Sequence, residues 1–173
     1  VHENGRLKPG PVDELLHVPV IRLLRDQHGA IWCGSRGKIV KATTEGRVLL
    51  TLGANEGIPD AGVCALFRDA DGTLWFGTDS RGGGFYRGGK MILLGEREGL
   101  PDPWVMSISQ DRHGTLWFAT QRGVVRWTGK RFVPMNTREE ELRTGIITFV
   151  VRDSLQNMWF GTQRGVYQWN DSV

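Results

Sequence analysis

One short motif recurs four times along this chain of 173 residues, and its spacing limits the folds that the chain can adopt. Each copy centres on a tryptophan with an aspartate six positions before it, and in three copies a glycine stands three positions before the tryptophan. The tryptophans are Trp32, Trp75, Trp117 and Trp159, at intervals of 43, 42 and 42 residues. Self-similarity at a fixed period of this length is the signature of repeat architectures.

Within each repeat, the sequence predicts short strands separated by glycine turns. An apolar run precedes the aspartate without clean polar alternation, which indicates a strand covered on both faces. In the Asp-x-x-Gly turn the carboxylate can accept backbone N–H groups, and glycine tolerates a positive φ. The tryptophan lies on the second strand, and two further strands follow. The predicted first strands are Val18–Arg25, Val63–Arg68, Val105–Gln110 and Ile146–Arg152.

Four antiparallel strands in every repeat of ~42 residues predict one blade of a β-propeller. We therefore expect an all-β chain of four blades, with the tryptophans packed between neighbouring blades. The predicted divisions are residues 1–17 for an outer strand and link, 18–52 for blade 1, 53–95 for blade 2, 96–136 for blade 3 and 137–173 for blade 4. The N-terminal strand could complete blade 4 and close a four-bladed ring. The same register arises in part of a larger propeller, which we favour, and in an eight-bladed ring of two chains.

Composition agrees with this fold class and excludes others. Glycine supplies 24 residues, as many tight turns require, and a hydrophobic content of 39% can fill a core. With two cysteines the chain is no disulfide scaffold, and we interpret Cys33 and Cys64 as small buried hydrophobes. The net charge of +3 is spread along the chain, which argues against a nucleic-acid partner.

The repeat resembles the two-component regulator propeller repeat. The resemblance rests on Leu74–Thr78, which reads Leu-Trp-Phe-Gly-Thr, and on the Gly-Val-Tyr-Gln-Trp segment at 165–169. The links Glu56–Asp60 and Glu98–Asp102 are similar to the Gly-Leu-Pro joint of that family. The resemblance covers most of residues 18–170 and departs from the pattern at Cys33, Ala119, Gln156 and the acidic third link, 136–145.

The resemblance implies a bacterial, non-catalytic sensing domain, periplasmic or otherwise extracytoplasmic, in an inner-membrane receptor. In that family a membrane span and a histidine kinase or diguanylate cyclase follow the propeller, and the ligands of relatives are often carbohydrates. The implied partners are a small-molecule ligand, the remaining blades and the membrane-bound signalling module, and a homodimer stays open. We expect no cofactor and no metal ion, since the Asp69-x-Asp71-Gly72 turn faintly resembles a calcium loop but the other copies lack the second aspartate.

Topology indicates where a ligand would bind. Because strands alternate in direction, the turn between the second and third strands shares one rim with the link to the next blade. An arginine lies in that turn in every repeat, and aspartates and a tryptophan lie in the links. Guanidinium groups suit carboxylates and phosphates, and an aromatic beside polar groups suits a sugar. The predicted ligand-binding residues are Arg36, Arg81, Arg122, Arg164, Asp60, Asp102 and Trp104.

Alternative interpretations of the same residues stay open at this point. Each arginine can instead pair with the aspartate of the adjacent link or point into water. The alternative functions are a protein-docking propeller and an enzyme similar to streptogramin lyases, which use His with a divalent metal. His28 and His113 share a turn position on the rim opposite the arginines, where a solvated turn residue is the simpler interpretation.

Overall fold

The computed structural model describes residues 19–170 and two short strands nearer the N-terminus, β1 (His2–Glu3) and β2 (Arg6–Leu7), which pair with each other. Residues 19–170 form four antiparallel sheets, one for each repeat. In each sheet every strand pairs with the strand next to it in sequence. The chain is therefore an all-β propeller segment, as the repeat predicts.

The sheets of blades 1 to 3 have four strands, and the described sheet of blade 4 has three. Blade 1 consists of β3 (Arg22–Arg25), β4 (Ile31–Ser35), β5 (Lys38–Ala42) and β6 (Val48–Leu52). Blade 2 consists of β7 (Val63–Arg68), β8 (Leu74–Thr78), β9 (Gly83–Arg87) and β10 (Lys90–Leu94). Blade 3 consists of β11 (Val105–Gln110), β12 (Leu116–Thr120), β13 (Gly123–Trp127) and β14 (Phe132–Pro134). Blade 4 consists of β15 (Ile147–Arg152), β16 (Met158–Thr162) and β17 (Val166–Trp169).

The links between blades contain the helical turns of the fold. Ala54–Glu56 and Glu96–Glu98 form short 3₁₀ turns, and the acidic third link forms helix α1 (Glu140–Thr144). Within the described part of the chain, no helix has the length and apolar character needed to cross a membrane.

The alternative in which the N-terminal strand completes blade 4 does not appear in the described strand pairing. Arg6–Leu7 pairs with His2–Glu3, and no fourth strand joins the described sheet of blade 4. The intervening Asn4-Gly5 sequence is the dipeptide that most favours a local hairpin, which gives a physical reason for this pairing. The rest of residues 1–17, with Val18 and residues 171–173, lies outside the described residues.

Aromatic side chains pack neighbouring blades together in a repeated arrangement. Trp117 on β12 is 4% exposed and contacts Phe160 and Trp169 of blade 4, with ring centroids 5.9 and 5.2 Å apart. Successive strand residues point to opposite faces, so the tryptophan faces the next blade and the following phenylalanine faces the previous one. The predicted packing of tryptophans between blades is therefore confirmed for Trp32, Trp75 and Trp117, whereas Trp159 of blade 4 is partly exposed. The same contact between blades 2 and 3 joins Trp75 to Phe118 and Trp127.

The aspartate of each repeat holds both its turn and its tryptophan. In blade 3, Asp111 Oδ1 accepts the backbone N–H groups of His113 and Thr115, and Oδ2 accepts the indole N–H of Trp117 at 2.8 Å. The turn was expected from sequence, whereas the indole bond explains why the six-residue spacing never varies. The indole bonds of the other repeats run from Trp32 to Asp26 at 3.3 Å, from Trp75 to Asp69 at 2.8 Å and from Trp159 to Asp153 at 2.7 Å.

The outward faces of the first and last blades expose apolar side chains. Leu23 on β3 is 61% exposed, and Val151 on β15 is 48% exposed. Contacts between first strands run in series from β3 through β7 and β11 to β15. The prediction that the first strands are covered on both faces is therefore confirmed for β7 and β11, in which every residue is buried or partly buried. It is wrong for β3 and β15, which have exposed residues.

Gln156 occupies a turn position that favours glycine. Its φ is 72°, the single positive value at a non-glycine among the described residues, and the matching Gly114 has a φ of 85°. Because a side chain in this region costs about 1–2 kcal/mol, we expect Gln156→Gly to raise the free energy of unfolding by about 1 kcal/mol. Urea denaturation measures the change, with Gly114→Ala as the reverse exchange, expected to destabilise. A midpoint for Gln156→Gly at or below that of the parent would show that the turn is unstrained.

Candidate functional site

The predicted arginines lie in the turn between the second and third strands of each blade. In blade 3, Thr120 Oγ1 accepts the N–H of Arg122 at 3.1 Å and donates to the carbonyl of Gly123 at 2.8 Å. Gly123 then donates its own N–H to the carbonyl of Gly145 in the next link, also at 2.8 Å. Turn and link are therefore held side by side on one rim, as the topology predicts. The equivalent bonds run from Gly37 to Ala61 and from Gly82 to Pro103.

A cleft on this rim, the arginine cleft, has a volume of about 670 Å³ and joins the turns of blades 2 and 3 to the link between them. Arg81 and Arg122 line it from the two blades, and Glu96 and Asp102 line it from the link. The structure thus brings together Arg81, Arg122 and Asp102 from the predicted set. Its apolar lining comes from Leu100, Pro101 and Pro103.

The two arginines of the cleft are available to a ligand. Within residues 19–170, neither Arg81 nor Arg122 forms an ion pair. Asp102 uses one carboxylate oxygen to accept the backbone N–H of Trp104 at 2.8 Å. The cleft therefore presents two planar guanidinium donors beside carboxylate acceptors, a combination that can bind both a carboxylate and hydroxyl groups.

The other two predicted arginines are paired outside the arginine cleft. Arg36 Nε lies 3.0 Å from the carboxylate of Asp60 in the adjacent link, and both side chains are mostly exposed. Arg164 Nε lies 3.6 Å from the carboxylate of Glu141 on α1. For these residues the geometry matches the alternative interpretation, in which the turn arginine pairs with the adjacent link.

Trp104 follows the cleft in sequence but does not line it. The thiol of nearby Cys64 donates to the carbonyl of Gly62 at 3.4 Å, and burial and the charge of Asp79 raise the pKa of that thiol. Asp79 also accepts the N–H of Gly62 at 3.0 Å, which fastens the long loop of blade 2 to the preceding link. The sequence does not predict this contact of Asp79, although the loop that contains Asp79 is longer than the equivalent loops of the other blades. Both Cys33 and Cys64 are free thiols. Cys33 is buried as predicted, whereas Cys64 is partly exposed, so the prediction that it is buried is wrong.

On the opposite rim, Asp26 belongs to a buried ionic cluster that sequence analysis did not predict. Its Oδ2 lies 3.0 Å from Lys41 Nζ and 3.2 Å from Nη1 of Arg68, which belongs to the next blade. Burial opposes the ionisation of Asp26, but bonds from Lys41, from two backbone N–H groups and from the Trp32 indole outweigh it and lower the pKa to about 2. The carboxylate therefore stays ionised and stabilises the contact between blades 1 and 2.

The histidines considered for an enzyme lie in the aspartate turns of this opposite rim. His28 and His113 are both exposed, and each donates its backbone N–H to the aspartate of its turn at 2.9 Å. Among the side chains that the structure describes, no group of three His, Cys, Asp or Glu could hold a metal ion. His2 and His17 lie outside those side chains.

Solved structures of several kinds share this fold. The extracellular domain of a hybrid two component system from B. thetaiotaomicron is 21% identical, with a TM-score of 0.72 over 88% of this chain and 22% of that chain. Virginiamycin B lyase from Staphylococcus aureus is 17% identical, with a TM-score of 0.61 over 87% of this chain and 55% of that chain. The WD40 propeller domain of Doa1 is 16% identical, with a TM-score of 0.68 over 88% and 51%. The chain thus spans between 22% and 55% of these proteins, and the likeness shows the fold.

The family comparison falls on the two blades that form the arginine cleft. The two component regulator propeller family model matches residues 57–80 and 99–122. Each segment begins in a link and ends in or just before an arginine turn. Comparison with curated proteins gives no match. The chain is therefore a propeller segment in which residues 57–80 and 99–122 match the two component regulator propeller repeat.

Proposed function

We propose that this chain is part of a non-catalytic, extracytoplasmic sensing domain that binds a carbohydrate, most favourably an anionic sugar, in the arginine cleft. The observation that carries the proposal is the pair Arg81 and Arg122, which line one cleft from two blades without an ion pair in residues 19–170. The cleft volume of about 670 Å³ lies within the range of small-molecule sites. The regulator propeller repeats support the sensing role.

The chemistry of the cleft favours a sugar acid over a simple anion. A ligand carboxylate can pair with the two guanidinium groups, and Glu96 and Asp102 can accept bonds from ligand hydroxyls. Leu100 and the two prolines offer apolar contact to the ring of the sugar. Because the arginines belong to different blades, a bound carboxylate would connect blade 2 to blade 3.

Thermal shift with sugar acids tests the proposal. Galacturonate and glucuronate should raise the melting temperature of the parent chain, because a ligand that binds only the folded state stabilises it. Arg81→Ala and Arg122→Ala should each abolish this increase without lowering the basal melting temperature, since both side chains are exposed. Arg131→Ala removes an exposed guanidinium on the opposite rim and should leave the increase intact.

Galactose and glucose serve as neutral partners of the two acids and should give a smaller increase. A parent chain that responds to none of the four sugars would contradict the proposed ligand class. A response that survives in both cleft variants would place the ligand elsewhere. Binding of a protein partner with no effect of any sugar would favour the docking propeller.

The exposed apolar faces of blade 1 and blade 4 carry a related proposal. Trp75 of blade 2 and Trp117 of blade 3 are each covered by aromatic residues of the next blade, whereas Trp159 of blade 4 is partly exposed. We propose that further blades of the same kind cover these faces in the sensor. The isolated chain should then self-associate in light scattering, and Leu23→Lys with Val151→Lys should suppress it. A monodisperse particle of 19.4 kDa for the parent chain would contradict this.

A further inference from the structure

On the rim opposite the arginine cleft, neighbouring blades enclose two clefts of the same design. The first, called turn cleft A, lies between blades 2 and 3 and has a volume of about 490 Å³. The second, turn cleft B, lies between blades 3 and 4 and has a volume of about 390 Å³. Each is bounded by an aspartate turn of one blade and by the third strand of the next. The repeat therefore generates two related clefts side by side.

The lining of each turn cleft includes a pair of tryptophans. In turn cleft A, Trp75 is buried, and Trp127 lies partly exposed with its ring centroid 6.3 Å from that of Trp75. In turn cleft B, buried Trp117 and partly exposed Trp169 are 5.2 Å apart. Trp127 and Trp169 hold the same register position on β13 and β17, opposite Leu116 and Met158. Partly exposed indole rings supply flat apolar faces at a polar surface.

Polar groups surround these rings in both turn clefts. Arg87 and Gln110 line turn cleft A, and Arg126 and Asn136 line turn cleft B. Neither arginine forms an ion pair within residues 19–170. Aspartates line both clefts as well, so neither has the excess of positive charge that a polyanion requires. Neutral hydroxyl groups match this mixture of donors and acceptors.

The two turn clefts form one continuous surface. His113 lines both of them, and so does Thr115, because the aspartate turn of blade 3 separates one cleft from the other. A ligand that extends across this turn can contact Trp127 and Trp169 at once. A chain of repeated units fits two repeated clefts better than a single compact molecule does.

We infer that the two turn clefts together bind one extended, neutral glycan chain, with pyranose rings against Trp127 and Trp169 and hydroxyls bonded to Arg87 and Arg126. This site goes beyond the proposed function, since it lies on the other rim and uses none of the residues of the arginine cleft.

Calorimetric titration of the chain with neutral oligosaccharides tests the inference. The probes are cellohexaose, xylohexaose, mannohexaose, laminarihexaose and maltohexaose, each beside its disaccharide. At least one hexasaccharide should bind about tenfold or more tighter than its disaccharide, because the second cleft is engaged at a high effective concentration. Arg87→Ala and Arg126→Ala should each reduce hexasaccharide affinity about tenfold, because each variant removes the hydrogen bonds that one of the two turn clefts makes to the glycan.

Two controls separate this site from the arginine cleft and from misfolding. Arg81→Ala, on the other rim, should leave hexasaccharide affinity unchanged, and both arginine variants should keep the parent melting temperature because their side chains are exposed. Binding of none of the five hexasaccharides would overturn the inference. So would an affinity that is independent of chain length, or one that is unchanged in both Arg87→Ala and Arg126→Ala. Each of these results leaves the response to sugar acids, and hence the proposed function, intact.

Discussion

Replacing Trp117 with alanine is expected to lower the free energy of unfolding by about 3–5 kcal/mol, as truncation of large buried aromatics does. The side chain is 4% exposed and packs against Phe160 and Trp169 of blade 4. Its removal also leaves Asp111 Oδ2 without the indole donor that it bonds at 2.8 Å. The variant therefore opens a cavity between blades 3 and 4 and loses a buried hydrogen bond. Urea denaturation followed by circular dichroism measures the change.

Trp159→Ala is the matched control, because it removes the same residue from the same place in the repeat. Trp159 bonds its own aspartate at 2.7 Å, but it is partly exposed and has no following blade in the described structure. We expect its loss to cost less than half as much as that of Trp117, since the contact with a neighbouring blade is missing. Equal losses in the two variants would show that the tryptophan acts within its own blade and that contact between blades contributes little.

The second large effect is expected at Asp26. Asp26→Asn should destabilise the chain by about 2 kcal/mol at neutral pH. A carboxyl group whose pKa falls from 3.8 in the unfolded chain to about 2 in the folded chain stabilises the folded state by about this amount. The substitution removes the charge that pairs with Lys41 and Arg68, while the amide keeps nearly the same volume. Asp71→Asn changes an exposed aspartate near the neighbouring turn and should change stability by less than about 0.5 kcal/mol.

The pH dependence of the Asp26 variant follows from the direction of its pKa shift. The folded pKa is lowered from 3.8 to about 2, so the stabilisation is fully present above pH 3.8 and is lost as the pH falls through about 2. Parent and Asp26→Asn stabilities should therefore differ at neutral pH and converge toward pH 2. A difference that stays constant across this range would assign the effect of the substitution to packing rather than to charge.

Local rules account for the parts of the fold that the sequence predicts correctly. The strand limits of β7 and β11 and the turns closed by Gly29, Gly72 and Gly114 depend on residues a few positions apart, so a single repeat contains the information. The exposure of β3 and β15 depends on which blades have neighbours, and no local pattern records that. The same limit applies to the candidate site. The sequence places an arginine in the turn between the second and third strands of every blade. Only the tertiary structure shows that Arg81 and Arg122 line the arginine cleft, whereas Arg36 and Arg164 form ion pairs.

The sequence by itself determined the repeat period, the all-β class, the aspartate turns and the rim on which the arginines lie. These follow from strand alternation and from turn chemistry, which act between residues close in the chain. Only the tertiary structure decided that each aspartate bonds its tryptophan, that Arg68 reaches Asp26 of the preceding blade, and that Trp127 and Trp169 line adjoining clefts. Those contacts join residues of different strands or blades, and their distances depend on how the sheets pack, a relation that spacing along one chain does not contain.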